Sequence, residues 1–161
     1  MSEIVVGLDV SPASLAALAW AANQAQLTGG DLRAVHALMV PVAMLAAVGQ
    51  MSVPTSPAGL DGVTDAYRDA VTAVWKTVQP EPNWRLEFYN ADPGRLLAIE
   101  SKHAALLVIG TREHVGWGRI LNGSVSHYCL NHATCPVVAV PPVVTPAVES
   151  EPQLLATSGP S

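Results

Sequence analysis

The residues of this chain best suited to chemistry surround one glycine-bearing loop. Ile109 and Gly110 end a short apolar run, and Gly123 and Ser124 precede an apolar segment with helical spacing that begins at Val125. A strand, a loop and a helix start in this order are typical of phosphate binding, because unpaired backbone N–H groups and the positive end of the helix dipole converge there. The Ser124 hydroxyl adds a further donor. This stretch therefore predicts an anion-binding site.

A second set of candidates follows the first apolar run of the chain. Asp9 ends that run, and Ser11 and Pro12 have the chemistry of a helix start. In open parallel α/β sheets, ligands bind outside the carboxyl ends of the strands. We therefore expect Asp9 and Gly110 to form two sides of one crevice.

Strand and helix patterns alternate along the chain. The predicted strands cover 3–9, 32–38, 84–89, 104–109 and 136–140; the predicted helices cover 15–27, 61–79, 92 to about 102, and 123–132, with a long connection at 40–60. Strands separated by helices imply right-handed crossovers and a parallel sheet with helices on both faces. The predicted fold class is a doubly wound α/β fold, whose strand order these patterns leave open.

Composition limits the classes of function. The chain has 161 residues, half of them apolar, a net charge of −5 and no cluster of lysine and arginine. That balance predicts one domain over 1–141, with a disordered tail over 142–161 that is rich in proline, serine and alanine. Nucleic-acid binding is not expected, because phosphates demand a basic surface.

We expect a cytoplasmic protein with no membrane span. The N-terminus has no basic region of an export signal, and the most apolar segment, 34–51, contains a histidine and a proline and has too short an apolar run. Cys129 and Cys135 lack the spacing of a metal site or a redox motif, so we interpret them as two buried, reduced thiols.

Five segments, taken in order, resemble the universal stress protein family. They are IVVGLDVS at 4–11, LRAVHA at 32–37, NADP at 90–93, the loop from Gly110 to Ser124, and CPVVAV at 135–140. The resemblance covers about residues 3–141. It implies a Rossmann-like, adenine nucleotide alpha hydrolase-like fold with five parallel strands in the order 3-2-1-4-5. It also implies a cytoplasmic, usually dimeric protein that binds ATP, or in some members cyclic AMP, or lacks nucleotide.

The resemblance also implies roles for particular residues. Asp9 would face the ribose, the phosphates or a bound Mg²⁺, Ala37 would meet adenine through its backbone, and Gly123 would donate to phosphate oxygens. The complete set of implied nucleotide-binding residues is Asp9, Val10, Ser11, Ala37, Ile109, Gly110, Arg112, Glu113, Gly123, Ser124 and Val125. Several also have a structural interpretation: Asp9 as the start of a turn, Gly110 and Gly123 as turn glycines, and Ser124 as a helix N-cap.

Glu113 departs from the family pattern, which has glycine at this position. A side chain there narrows the approach of a ligand. A carboxylate at about 5 Å from a phosphate charge also costs roughly 3 kcal/mol at an effective dielectric of 20, which is about two decades in affinity. Val10 and Ala91 also replace glycines that are common in the family.

The matching and the departing residues lead to two possible functions. The first is an adenine-nucleotide-binding regulatory protein of the stress response, with ATP, with or without Mg²⁺, as the expected ligand and cyclic AMP as the alternative. The second is a degenerate member that binds no nucleotide and acts through protein contacts. No catalytic residues are predicted, because no nucleophile with a base, paired carboxylates, metal cluster or Walker lysine is present. We do not expect an enzyme.

The last predicted strand suggests how the chain assembles. Val137, Val138, Ala139 and Val140 form a short apolar strand, which the implied strand order puts at an edge of the sheet. An uncovered apolar edge invites pairing with another strand, and the resemblance implies pairing with the same strand of a second copy. We therefore expect a two-fold homodimer through these four residues.

Overall fold

The computed structural model describes residues 2–38, 58–111 and 124–143. Within them lie five strands and four helices. In chain order these are β1 Glu3–Gly7, α1 Pro12–Thr28, β2 Asp31–Ala37, α2 Ala58–Lys76, β3 Arg85–Tyr89, α3 Pro93–Glu100, β4 Leu106–Gly110, α4 Ser124–His132 and β5 Val137–Val140.

The five strands form one parallel sheet in the order β3-β2-β1-β4-β5. This confirms the predicted doubly wound α/β fold and the strand order that the resemblance implies. The order reverses direction at β1, because β2 lies on one side of it and β4 on the other. The gap between the carboxyl ends of β1 and β4 is therefore the point at which such sheets bind ligands.

The sheet separates two apolar layers. Alternate side chains of β1 point to opposite faces: Ile4 and Val6 pack in the layer under α1 and α2, whereas Val5 packs in the layer under α3 and α4. All three are nearly inaccessible to solvent. Burial on both faces explains why the strands read as continuous apolar runs rather than as alternating ones.

Several predicted element bounds were wrong by a few residues. β1 ends at Gly7, so Asp9 lies in the loop and not in the strand, and α2 covers Ala58–Lys76 rather than 61–79. After Lys76 the backbone tightens into successive turns, and Gln79 adopts a left-handed conformation at φ 49°. A β-carbon rarely tolerates this region, so the helix cannot continue through it.

The structure also bears on the cysteines and on the membrane prediction. Both thiols are free, but only Cys129 is fully buried; Cys135 is half-buried, so the prediction of two buried thiols was wrong for it. Within the described ranges, no helix is long and apolar enough to cross a membrane.

Candidate functional site

A cavity of about 220 Å³ opens at the carboxyl ends of β1, β2 and β4. For scale, an engineered apolar cavity of about 150 Å³ accepts benzene, so the space is sufficient for a planar ring. We call it the sheet-edge cavity. Its lining residues are Gly7, Leu8, Asp9, Ser11, Ala13, Ser14, Val35, His36, Ala37, Leu38, Tyr67, Pro93, Leu97, Ile109, Gly110, Ser124, Val125 and Ser126.

The turn between β1 and α1 forms one wall through a closed set of hydrogen bonds. The backbone N–H of Ser11 donates to Oδ1 of Asp9 at 2.8 Å, and the backbone N–H of Asp9 donates to Oγ of the buried Ser14 at 2.7 Å. Oγ of Ser11 caps α1 by accepting from the backbone N–H of Ser14 at 3.3 Å. The Asp9 carboxylate therefore starts a turn and also faces the cavity, so both of its predicted roles are compatible with this geometry.

Gly110 forms the opposite wall at the end of β4, where the strand passes close to the start of α1. A β-carbon at Gly110 would lie 2.6 Å from the carbonyl carbon of Ala13, 2.7 Å from its oxygen and 2.8 Å from the backbone nitrogen of Ser14. Its φ is not in the left-handed region, which among the described glycines is occupied only by Gly29. Gly110 is thus needed for the close approach of two backbones rather than for an unusual turn.

Three helices begin at the sheet-edge cavity. The first turn of α1 contributes Ala13 and Ser14, α3 contributes Pro93 next to its N-cap Asp92, and α4 contributes its first residues from Ser124. Each helix start carries a partial positive charge and N–H groups without intrahelical partners. Their convergence gives the cavity an environment that favours an anion.

The third wall belongs to β2 and α2 and is largely aromatic. Ala37 ends β2 at the cavity, and the buried His36 next to it packs against Tyr67 of α2, with ring centroids 5.3 Å apart, and against Phe88 of β3 at 5.7 Å. Burial, followed by the nearby Asp9 carboxylate, raises the pKa of the Tyr67 phenol. Tyr67 is therefore a neutral hydrogen-bonding group at physiological pH.

The structure brings most of the predicted site residues together. Asp9, Ser11, Ala37, Ile109, Gly110, Ser124 and Val125 all line the sheet-edge cavity. Val10 does not line it, and its side chain is 43% exposed. Arg112, Glu113 and Gly123 lie outside the described residues, as does most of the loop that predicted the site.

Sequence reasoning did not assign Ser14, His36 and Tyr67 to the site. Two local signals were available. Ser14 stands three residues after a predicted N-cap serine, and His36 interrupts an otherwise apolar strand. Tyr67 carried no such signal, because a tyrosine on the apolar side of a helix is typical of packing.

Among the described lining residues, the only charged side chain is acidic. Asp9 is the one lining residue with a carboxylate, and the lining set contains no lysine or arginine. In the same part of the chain, no group of three or more histidine, cysteine, aspartate or glutamate side chains is arranged to hold a metal ion. Within this set a divalent cation would thus find Asp9 as its carboxylate ligand and would need oxygens of the ligand itself.

Comparison with known proteins gives a consistent result. The family model described as the universal stress protein family matches residues 1–141. The chain is 34% identical, over 166 aligned positions, to a universal stress protein of Mycobacterium tuberculosis; the match covers 98% of this chain and 54% of that protein. The chain thus spans about half the length of this relative.

Solved structures of the same fold include nucleotide complexes. The universal stress protein of Archaeoglobus fulgidus in complex with dAMP has a TM-score of 0.52 at 21% identity, covering 87% of this chain and 98% of that one. A universal stress protein in complex with cyclic AMP has a TM-score of 0.51 at 22% identity, covering 86% and 95%. At these identities the likeness shows the fold.

Proposed function

The chain belongs to the universal stress protein family, and on that premise we propose that it binds an adenine nucleotide in the sheet-edge cavity and acts as a regulatory stress-response protein. One observation carries the proposal. Asp9, Gly110 and Ser124, which are far apart in sequence, meet at one cavity at the carboxyl edge of the sheet. Neighbours of the same fold have been solved in complex with cyclic AMP and with dAMP.

Different walls of the cavity suit different parts of the nucleotide. The starts of α1, α3 and α4, with the hydroxyl of Ser124, favour the phosphates. The end of β2 at Ala37 and the aromatic side chains beyond it suit the flat base. Asp9 then lies next to the sugar and the phosphates.

Asp9 limits how the phosphates bind. Each helix start contributes about 0.3–1 kcal/mol toward an anion, so three contribute about 1–3 kcal/mol. One carboxylate at about 5 Å from a phosphate charge costs roughly 3 kcal/mol at an effective dielectric of 20. We therefore infer that Asp9 accepts hydrogen bonds from ribose hydroxyls or holds Mg²⁺ on the phosphates, since otherwise the two effects cancel.

A first experiment tests binding itself. Purified protein is denatured and the released ligand is identified by mass spectrometry, and ligand-free protein is then titrated calorimetrically with ATP, ADP, AMP and cyclic AMP. We expect saturable binding of one or more of these with a matching rise in the melting temperature. If no adenine nucleotide is released and none binds at millimolar concentration, the proposal is refuted.

A second experiment tests the cavity and the role of Asp9. Asp9→Asn keeps the oxygen that accepts from Ser11 but removes the charge, so the turn should survive. If Asp9 holds Mg²⁺, the variant should lose the gain in ATP affinity that Mg²⁺ gives the wild type; if it faces the ribose, the gain should remain. Asp69→Asn, on the exposed side of α2, is the matched control and should bind as the wild type does.

The alternative is a family member that binds no nucleotide and acts through protein contacts. It is favoured by Glu113 and by the lack of a basic residue among the described lining residues. Glu113→Gly separates the two functions. If the carboxylate disfavours phosphate, the variant should bind ATP about tenfold more tightly or better, whereas Gly123→Val should abolish binding and leave the fold intact. The alternative is supported if neither the wild type nor Glu113→Gly binds nucleotide.

We also propose a homodimer through β5 in the cytoplasm. Among the strands of the described ranges, β5 lies at an edge and pairs with β4 on one side only, and among its residues Ala139 is exposed. Its free edge presents unpaired backbone groups to a second copy. We propose further that the protein is a regulatory protein and not an enzyme.

A further inference from the structure

One side chain of the sheet-edge cavity has a hydrogen-bonding atom to which none of the described residues bonds. His36 is 96% buried, as its exposed fraction is 4%. Its Nδ1 lies 2.7 Å from the backbone carbonyl oxygen of Leu8. A carbonyl oxygen only accepts hydrogen bonds, so Nδ1 carries the proton and donates.

This bond fixes the chemistry of the other ring nitrogen. In the neutral imidazole with a proton on Nδ1, Nε2 is an acceptor with a lone pair. Nε2 is buried and has no hydrogen-bond partner among the described residues. A buried acceptor without a partner is unusual in a folded protein and is a position where a ligand donor gains most.

The surroundings of the ring restrict which ligand group can approach. The imidazole packs against Tyr67 and Phe88, both at less than 6 Å between ring centroids, and His36 is one of the residues that line the cavity, as is its neighbour Ala37. Nε2 receives no hydrogen bond from the Tyr67 hydroxyl, and the carbon-bound hydrogens of the aromatic neighbours do not satisfy a nitrogen lone pair. The site therefore calls for an N–H donor on a flat group that enters from the cavity.

We propose that Nε2 of His36 accepts a hydrogen bond from the exocyclic amino group of the bound base and selects adenine against 6-oxopurines. The inference rests on the proposed nucleotide binding and adds the residue that sets base specificity. A base with a carbonyl oxygen in place of the amino group brings two lone pairs together. That arrangement forfeits the hydrogen bond and leaves both acceptors buried without a donor.

The test compares ATP with inosine triphosphate, which carries the same sugar and phosphates but an oxygen in place of the amino group. Calorimetry on the wild type should give at least tenfold tighter binding of ATP. Two variants separate the roles of the two ring nitrogens. His36→Asn puts an amide N–H near the position of Nδ1 and keeps the hydrogen bond to the Leu8 carbonyl. His36→Gln puts an amide near the position of Nε2.

The expected result is a loss of selectivity in one variant. His36→Asn should bind both triphosphates within about threefold of each other, and His36→Gln should retain more of the preference because its amide oxygen accepts a hydrogen bond. The inference is overturned if wild-type protein binds both triphosphates equally, or if His36→Asn keeps the full preference. Equal binding leaves the proposed function intact, whereas binding of neither triphosphate refutes both.

A measurement on the wild type keeps the test independent of variant folding. In ¹⁵N-labelled protein, the His36 ring should show the neutral tautomer protonated on Nδ1, with an unprotonated Nε2 resonance. Added ATP should shift that resonance in the direction of hydrogen bonding, and inosine triphosphate should not. A ring protonated on Nε2, or an Nε2 resonance that ATP leaves unmoved at saturation, overturns the inference.

Discussion

Replacing Gly110 with alanine tests the close approach of β4 to the start of α1 in the site. The added methyl group would meet three backbone atoms, two of Ala13 and one of Ser14, at 2.6–2.8 Å. Real β-carbons essentially never approach other heavy atoms so closely, and backbone atoms cannot rotate away as a flexible side chain does. β4 and the start of α1 must therefore separate.

Two opposing effects set the size of the change. Overpacking that shifts backbone costs about 1–3 kcal/mol. Alanine also restricts the unfolded chain, which returns about 0.4–1 kcal/mol where the native conformation tolerates it, as it does at Gly110. The steric cost wins, so we expect a net loss of about 1–2 kcal/mol in the free energy of unfolding. For a chain of this size that lowers the melting temperature by roughly 2–8 °C.

Urea unfolding followed by tryptophan fluorescence measures this loss, since Trp75 and Trp84 are both buried. Gly94→Ala is the matched control: its β-carbon would lie 3.1–3.4 Å from the side chain of Tyr128, which can yield. The control should lose less stability. ATP affinity should fall only in the Gly110 variant. The clash displaces the backbone of Ser14, whose Oγ accepts the hydrogen bond from the backbone N–H of Asp9 at the cavity. A Gly110→Ala protein as stable as the wild type would refute the close-approach argument.

Three further predictions concern other parts of the molecule. Arg33, whose side chain is 9% exposed, pairs with three carboxylates, so Arg33→Met should lose about 3 kcal/mol in urea unfolding at pH 7; an unchanged midpoint would contradict this. Burial would raise the pKa of the Glu87 carboxyl, but hydrogen bonds and the two nearby guanidinium groups, Arg33 among them, lower it. The stability that Glu87 contributes is present above its unfolded pKa and is lost as pH falls through the lower folded pKa, so Arg33→Met should show a smaller acid-side loss, since Tyr89 and Arg85 remain. Burial raises the pKa of the Cys129 thiol to about 11, so iodoacetamide at pH 8 should modify it, by mass spectrometry, only after unfolding. Val138→Lys should give a folded monomer by light scattering while Val143→Lys, at an 84% exposed position, stays dimeric; a wild type that is monomeric at tens of micromolar refutes the dimer.

The fold was predictable because its signals are local and repeated. Apolar runs bounded by turns and separated by amphipathic segments specify a parallel sheet without any knowledge of contacts. The element ends were not predictable to the residue. The pairing of β1 with β4 ends at Val6 and its pairing with β2 ends at Gly7, and pairing partners are not visible in one segment.

The site was predictable in part for a related reason. Asp9 and Gly110 follow strands, and parallel topology puts every carboxyl end at the same edge, so their meeting follows from fold class. The positions of His36 and Tyr67 depend on how α2 packs over the end of β2. That packing is set by side-chain shape across the layer, which no spacing rule records.

Fold topology and side-chain packing set two different properties of the site, and mutation can test these independently. Helix starts gather at the carboxyl edge because each crossover in a doubly wound sheet leaves a strand there and enters a helix, so the preference for an anion is a consequence of topology. The choice of base has no such origin and must come from particular side chains. Changes at Gly110 should therefore alter stability and the affinity for ATP and inosine triphosphate in equal proportion. Changes at Nε2 of His36 should alter the ratio of the two affinities and leave the contribution of the phosphates untouched.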